Sequence, residues 1–212
     1  MNIDILPYNL PDIEILKTAT SNFEFSIWQP DKIYLVLGQS NTAENSLLLD
    51  KVYADKIPVL KRPSGGETVV LTPKTLVISA VVVTQNLQNP HKYFKYFNEI
   101  LISAIQQLGI KDIAAKGISD LTIGNKKILG SSIYRHKDKL FYHAVLNVAE
   151  TTETIVKYIK NPKREPDYRK GRDHKDFVTS IVEHYPSLDE SKLKELIKEK
   201  FSKAKYQQPC ET

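Results

Sequence analysis

"GISDLTIGNKKILGSSIYR", residues 117–135, reads as strand, turn, strand, with Gly124-Asn125 making the turn. Lys126 and Lys127 are consecutive, so in an extended strand they point to opposite faces. Lys127 has the parity of Leu129 and Ser131. If that face looks into a cleft, a rigid strand holds an ammonium there, a compact point charge suited to a carboxylate or phosphate oxygen. The plain alternative is a strand-start lysine reaching solvent. Gly130-Ser131-Ser132 allows close backbone approach and adds hydroxyl donors. Asp120 suits a metal ion, a ribose or an amine, or serves only as a turn cap.

Around this hairpin the other strand candidates are 33–37, 68–71, 76–83 and 140–148, rich in Val, Ile and Tyr. "LVISAVVV" is almost wholly apolar, as a strand buried on both faces would be. Asn89-Pro90 opens a helix as N-cap and first-turn proline, Tyr93 to Leu108 keep helical spacing, and Gly109 ends it. Shorter helices are expected over 43–54, 151–159 and 174–185. Ser187-Leu-Asp-Glu190 reads as a capping box for a last amphipathic helix, its apolar face made by Leu193, Leu196, Ile197 and Phe201. Strands and helices are interspersed without regular alternation, so the class is α+β with a mixed, mostly antiparallel sheet and flanking helices. Residues 1–186 are expected to form the main domain, and 187–212 a C-terminal helix and tail.

With 212 residues, 41% of them hydrophobic, the chain suits one large domain. No apolar run approaches the length needed to span a bilayer, and the opening MNIDILPYNL lacks the pattern of a signal peptide. The single cysteine, Cys210, cannot form an internal disulfide, which points to a reducing cytoplasm. The net charge of +5 lies in short mixed clusters, and no nucleic-acid-binding or zinc spacing accompanies it, so neither nucleic acid nor membrane is an expected partner.

"KRPSGGETVV", residues 61–70, pairs two of the eight glycines behind a Lys-Arg pair. Adjacent glycines permit φ > 0 and close approach of backbone N–H groups to an anion, but they also make a tight hairpin turn. "NPKREPDYRKGR", residues 161–172, is too long and polar for a turn, and reads as a linker or as a loop laid over a site. His143, in "LFYHAVLNV", reads first as a satisfied core histidine and second as an acid–base or binding group.

Three stretches together carry a resemblance. KRPSGG (61–66) resembles the Arg-Arg-x-Ser-Gly-Gly-Gly motif of lipoate–protein ligases and their octanoyltransferase relatives. SDLTIGNKKILGSSIYR (119–135) is similar to that family's Asp-Leu and Lys-Ile-x-Gly-Ser-x-x-x-Arg segment. EPDYRKGRDHKDFV (165–178) is similar to its Pro-x-Tyr-Arg-x-x-Arg-x-His segment, and PYNLPDIEIL (7–16) and IYLVLGQSN (33–41) also fit its start, so the resemblance runs from about residue 5 to 185. The resemblance implies the fold shared with biotin ligases and class II aminoacyl-tRNA synthetases. It implies ATP, Mg²⁺ and lipoate as ligands, a lipoyl-AMP intermediate, and a lipoyl carrier domain of H-protein or E2 type as partner. Arg62, Ser64, Gly65, Gly66, Glu67 and Thr68 would then form the acyl and nucleotide loop. Lys127 would be the catalytic cation, Asp120, Gly130, Ser131, Ser132 and His143 would line the site, and Asp120 would hold Mg²⁺.

The pattern is not matched throughout. Glu67 stands where the family has its third glycine, the His-Asp pair that often follows is VVLTP here, and no cysteine lies near the site to accept an acyl group. About 25 residues follow Tyr185, so an accessory domain is expected on a separate chain or not at all.

Overall fold

The computed structural model describes residues 3–204. In chain order its elements are β1 (Ile5–Pro7), α1 (Ile13–Thr18), β2 (Phe23–Trp28), β3 (Tyr34–Leu37), α2 (Ala43–Ser46), α3 (Leu49–Ala54), β4 (Val59–Lys61), β5 (Val69–Leu71), β6 (Thr75–Val83), α4 (Pro90–Gln106), β7 (Ile113–Lys116), β8 (Asp120–Ile123), β9 (Lys126–His136), β10 (Lys139–Asn147), α5 (Thr152–Tyr158), α6 (His174–Phe177), α7 (Ile181–His184) and α8 (Glu190–Lys203). Cys210 falls outside the described residues.

The strands form two sheets. One runs β2-β6-β10-β9-β8-β7, every pair antiparallel. The other runs β1-β4-β3-β5, with parallel pairs at β1-β4 and β4-β3 and an antiparallel pair at β3-β5. The α+β class with mixed, mostly antiparallel pairing is therefore what the chain adopts. β6 is buried along nearly its whole length because both of its faces are covered. On one side Ile78, Ala80 and Val82 meet α4 and α8; on the other, Val77 meets Val36, Leu60 and Leu71 of the small sheet. The outer face of the small sheet packs on α2, α3 and α5 through Leu35, Leu37, Val52 and Tyr158.

α4 begins as expected: the Asn89 side chain accepts from the His91 N–H, and Pro90 takes the first turn. Its buried Phe97 stacks on Tyr142 at 4.2 Å between ring centroids and faces Phe201 of α8 at 6.0 Å. Each such fully buried side chain stabilises the fold by roughly 1.5–3 kcal/mol. The apolar face of α8 thus belongs to the same core as α4. Its cap differs from expectation: Asp189, not Ser187, accepts the Lys192 N–H.

Two expected helices are split. The 43–54 segment breaks at Leu47, which makes a bridge to Ile159. The 174–185 segment breaks at Val178, which bridges Lys127 in parallel while the Thr179 N–H donates to the Lys127 carbonyl at 3.0 Å. In both places the backbone gains a strand-type pairing with a distant segment that a continuous helix would deny it. No helix among the described residues is long and apolar enough to cross a membrane.

Candidate active site

Residues 62–68 do not form a hairpin. β3 lies between β4 and β5, so the segment crosses the end of β3. The Arg62 N–H donates to the Leu37 carbonyl at 3.0 Å and the Gln39 N–H to the Ser64 carbonyl at 3.0 Å. This crossing is tight: a Cβ on Gly38 would sit 1.9 Å from the Gly66 carbonyl oxygen. Gly66 itself has φ +89°, the left-handed region. Arg62, 5% exposed, braces the loop from inside. Its guanidinium donates to Ser64 Oγ (3.0 Å) and to the carbonyls of Val36 (3.1 Å), Gly65 (2.8 Å) and Glu67 (2.8 Å). Burial lowers its pKa to about 10, so it stays charged at neutral pH. Arg62 therefore builds the loop. The Glu67 carboxylate accepts from Asn41 Nδ2 at 3.1 Å, and Thr68 Oγ1 lies 3.4 Å from the same amide. Ser64 Oγ meets Ser132 Oγ at 2.9 Å and so ties the loop to β9.

β9 carries a bulge that reverses the expected parity. Leu121 pairs with Leu129 but Thr122 pairs with Lys127, leaving Ile128 as the extra residue. Ile128 and Leu129 both enter the helix-side core. Lys127 consequently lies on the face of Gly130 and Ser132, not that of Leu129 and Ser131. Its ammonium is 2.8 Å from Asp120 Oδ1 and occupies the space where a Gly130 Cβ would be, 2.7 Å from that position. Ser131 is the correction that follows: it pairs with Ala144 on the helix-side pleat and donates to the Ser119 carbonyl at 2.9 Å. Lys126 still diverges from Lys127, its ammonium lying 3.6 Å from Glu183 Oε1.

Opposite Ser132 in register is His143. It is buried in a polar cluster that the sequence did not signal. Asp12, fully buried, accepts from Tyr8 Oη on Oδ1 and from Ser79 Oγ on Oδ2, both at 2.7 Å. His143 Nδ1 is 3.5 Å from Asp12 Oδ2, and Nε2 is 3.5 Å from Tyr8 Oη. Burial pushes the imidazole pKa below its usual value, against the pull of Asp12, so His143 is neutral. Burial and the neighbouring Asp12 push the Tyr8 phenol well above its usual value.

The 161–176 segment is largely exposed but is pinned across the hairpin by a few buried or half-buried side chains. A 3-10 turn at Asp167–Arg169 sets Tyr168 over the hairpin, where its hydroxyl donates to Asp120 Oδ2 at 2.8 Å. Burial and the Asp120 charge raise the Tyr168 pKa far above the phenol range, which keeps it a donor. The Phe177 ring has the guanidiniums of Arg169 and Arg172 over it, at 4.8 and 5.2 Å from its centroid. Arg172 donates to the carbonyls of Tyr168 (2.9 Å) and Asn125 (3.1 Å), fastening the segment to the turn between β8 and β9.

A family model for the lipoyl protein ligase A/B catalytic domain matches residues 15–202. The chain belongs to this family. It is 26% identical to the lipoate-protein ligase A of Psychrobacter cryohalolentis, over 89% of this chain and 59% of that protein. The chain spans about half the length of the curated relatives it matches. Among solved structures, a bi-partite lipoate protein ligase from Thermoplasma acidophilum superposes with a TM-score of 0.78 at 18% identity, covering 93% of this chain and 81% of that one. A lipoate-protein ligase A bound with ATP gives a TM-score of 0.76 at 18% identity, covering 95% and 85%. At these identities the likeness is one of fold.

In this lipoyl protein ligase A/B domain the crossing loop, Ser132, His143 and the Lys127–Asp120 pair share one face of the large sheet. The expected metal role of Asp120 does not fit. Both of its oxygens are engaged, one by an ammonium and one by a phenol, and no group of three or more candidate ligands exists among the described residues. Gly38, Asn41, Tyr8, Asp12 and Tyr168 are the site-building residues that motif reading missed. All five lie inside stretches that carry the family resemblance, but none was given a role there.

Proposed function

We propose that this chain is the catalytic domain of a lipoate–protein ligase. Lipoate and ATP would bind between the crossing loop and β9. The lipoate carboxylate attacks the α-phosphorus of ATP, a P–O bond breaks, pyrophosphate leaves and lipoyl-AMP forms. The ε-amine of a carrier lysine then attacks the lipoyl carbonyl, the C–O bond to AMP breaks, and the amine's proton is released. Charge develops on the carbonyl oxygen and on the departing phosphate. Lys127 supplies a fixed cation for both, and contacts of this kind are worth about 3–4 kcal/mol.

The observation that carries this reading is the placement of the Lys127 ammonium. A bulge turns it onto the Ser132 face, Asp120 holds it at 2.8 Å, and Gly130 leaves it room. The family match and the ATP-bound structural relative support the substrates. A net charge of +5 favours steering of an acidic carrier domain, weakened by salt. The second reading, carrier-to-carrier acyl exchange through a cysteine thioester, has no nucleophile among the described residues, since Cys210 is the only cysteine.

The Thermoplasma relative is bi-partite, so a separate accessory chain is part of the proposal. The transfer step draws on Lys127 and the loop, while adenylation also requires the lipoate carboxylate in line with the α-phosphate. Assayed alone, the protein is expected to transfer from synthetic lipoyl-AMP to an apo lipoyl domain faster than it ligates free lipoate with ATP. Intact-mass measurement of the carrier follows both reactions. Equal rates would show that adenylation needs no second chain. No transfer from lipoyl-AMP would overturn the ligase reading.

A further inference from the structure

Lys127 is tied to the 161–179 segment twice. Its carbonyl accepts from the Thr179 N–H at 3.0 Å, and its backbone bridges Val178. Its ammonium is tied through Asp120, whose Oδ1 holds Lys127 and whose Oδ2 accepts from Tyr168, both at 2.8 Å. A carboxylate held on one oxygen only, here by the flexible lysine and a long 3.4 Å contact from Ser119 Oγ, is free to rotate about its side-chain torsions. The second donor, on the opposite oxygen, removes that freedom. Tyr168 suits the task because it is itself fixed, packing on Phe177 at 5.2 Å between ring centroids and resting near Gly117, where a Cβ would lie 3.6 Å from its ring.

We propose that Tyr168 is a positioning residue for Lys127, its hydroxyl orienting the Asp120 carboxylate so that the ammonium stays in the space left by Gly130. The proposal rests on the ligase reading for its effect on rate, and on geometry alone for its effect on Lys127. Tyr168 touches no reacting atom. The charged segment then sets where the catalytic cation sits, and anything that lifts the segment also misplaces Lys127. Asp120 acts as an orienting carboxylate in this arrangement.

The test uses Tyr168→Phe, which keeps the ring and its contacts and removes only the donor. Two readouts are taken on the full chain. The first is labelling of Lys127 by an amine-reactive succinimidyl ester, quantified by peptide mass with Lys126 as internal reference. Labelling of Lys127 relative to Lys126 is expected to rise several-fold. The second is transfer from lipoyl-AMP to an apo lipoyl domain. Here kcat is expected to fall roughly tenfold, the scale of a hydrogen bond to a charged group, with KM within about twofold and the unfolding temperature unchanged. In an Asp120→Asn background the added effect of Tyr168→Phe should vanish, because the hydroxyl acts through that carboxylate. Unchanged labelling overturns the proposal. So does a full additive loss in the Asp120→Asn background, which would mean that Tyr168 only anchors the segment. If wild-type protein transfers nothing while Lys127 labelling still responds, the positioning role stands and the ligase reading falls.

Discussion

Gly130→Ala isolates the position of one ammonium from everything else in the fold. The new Cβ would lie 2.7 Å from Lys127 Nζ and 2.8 Å from Cε, where ordinary contact begins at 3.4 Å. The end of a lysine is flexible, so the strand holds and the ammonium retreats, by about 0.7 Å or more. Misplacing a catalytic group by about 1 Å costs up to about 10²-fold in rate. The expected loss in transfer from lipoyl-AMP is therefore about 30- to 100-fold, or 2–2.7 kcal/mol of transition-state stabilisation. Stability should barely move. The alanine restricts the unfolded chain and contributes about 0.4–1 kcal/mol, offset by a loosened, partly exposed ion pair. The assay is the initial rate of carrier mass gain at saturating lipoyl-AMP, beside thermal unfolding of the same sample. In a Lys127→Ala background the alanine at 130 should cost nothing further. A variant that unfolds at the wild-type temperature and keeps more than a third of the wild-type rate would refute the claim that this gap seats the working cation.

Lys127→Ala should lower transfer by about 10²–10³-fold, and Lys126→Ala by less than about threefold because it faces Glu183; the reverse ranking, in the same carrier assay, would mean the bulge is wrongly placed. Gly38→Ala should destabilise the protein by roughly 1–3 kcal/mol, since its Cβ meets backbone atoms of Gly66 that cannot swing aside; an unchanged urea midpoint would show that the crossing is looser than described. His143 and His174 both have pKa values lowered from 6.5 by burial. The unfolded chain takes up protons there that the folded chain resists, so their stability contribution is complete above about pH 6.5 and is lost as pH falls through the lowered folded values. Urea unfolding at pH 7.5, 6.5 and 5.5 should show that decline, and His143→Gln should flatten it; an equally steep decline in the variant would move its origin elsewhere.

The sheet core and α4 were legible because their signals are local. An almost wholly apolar run marks β6, and Asn89-Pro90 followed by aromatics at helical spacing marks α4. The motif stretches likewise named Lys127, Ser64 and Ser132 in advance, and the structure brings these onto one face. What stayed hidden depends on pairing between distant segments. No periodicity announces that Ile128 is surplus in its register, and that one residue decides which face Lys127 serves. Gly38 looks like an ordinary loop glycine until Gly66 is laid against it. Asp12 and Tyr8 stand in the opening PYNLPDIEIL, where nothing local gives either a role, and only the fold carries them to His143.

Tyr8 and Asp12 also lie ahead of residue 15, where the family match begins. The physical edge of the domain is thus not the edge that kinship draws. A chain trimmed to the matched segment would lose the carboxylate that receives Ser79 and faces His143, stranding a hydroxyl and an imidazole in a dry interior. It would also uncover Val36, Leu60 and Leu71, which Tyr8 and Leu10 now cover. In this protein Tyr8, Leu10 and Asp12 act as a plug set into the seam between two sheets, and where the fold needs its chain to start is decided by what that seam must keep away from water.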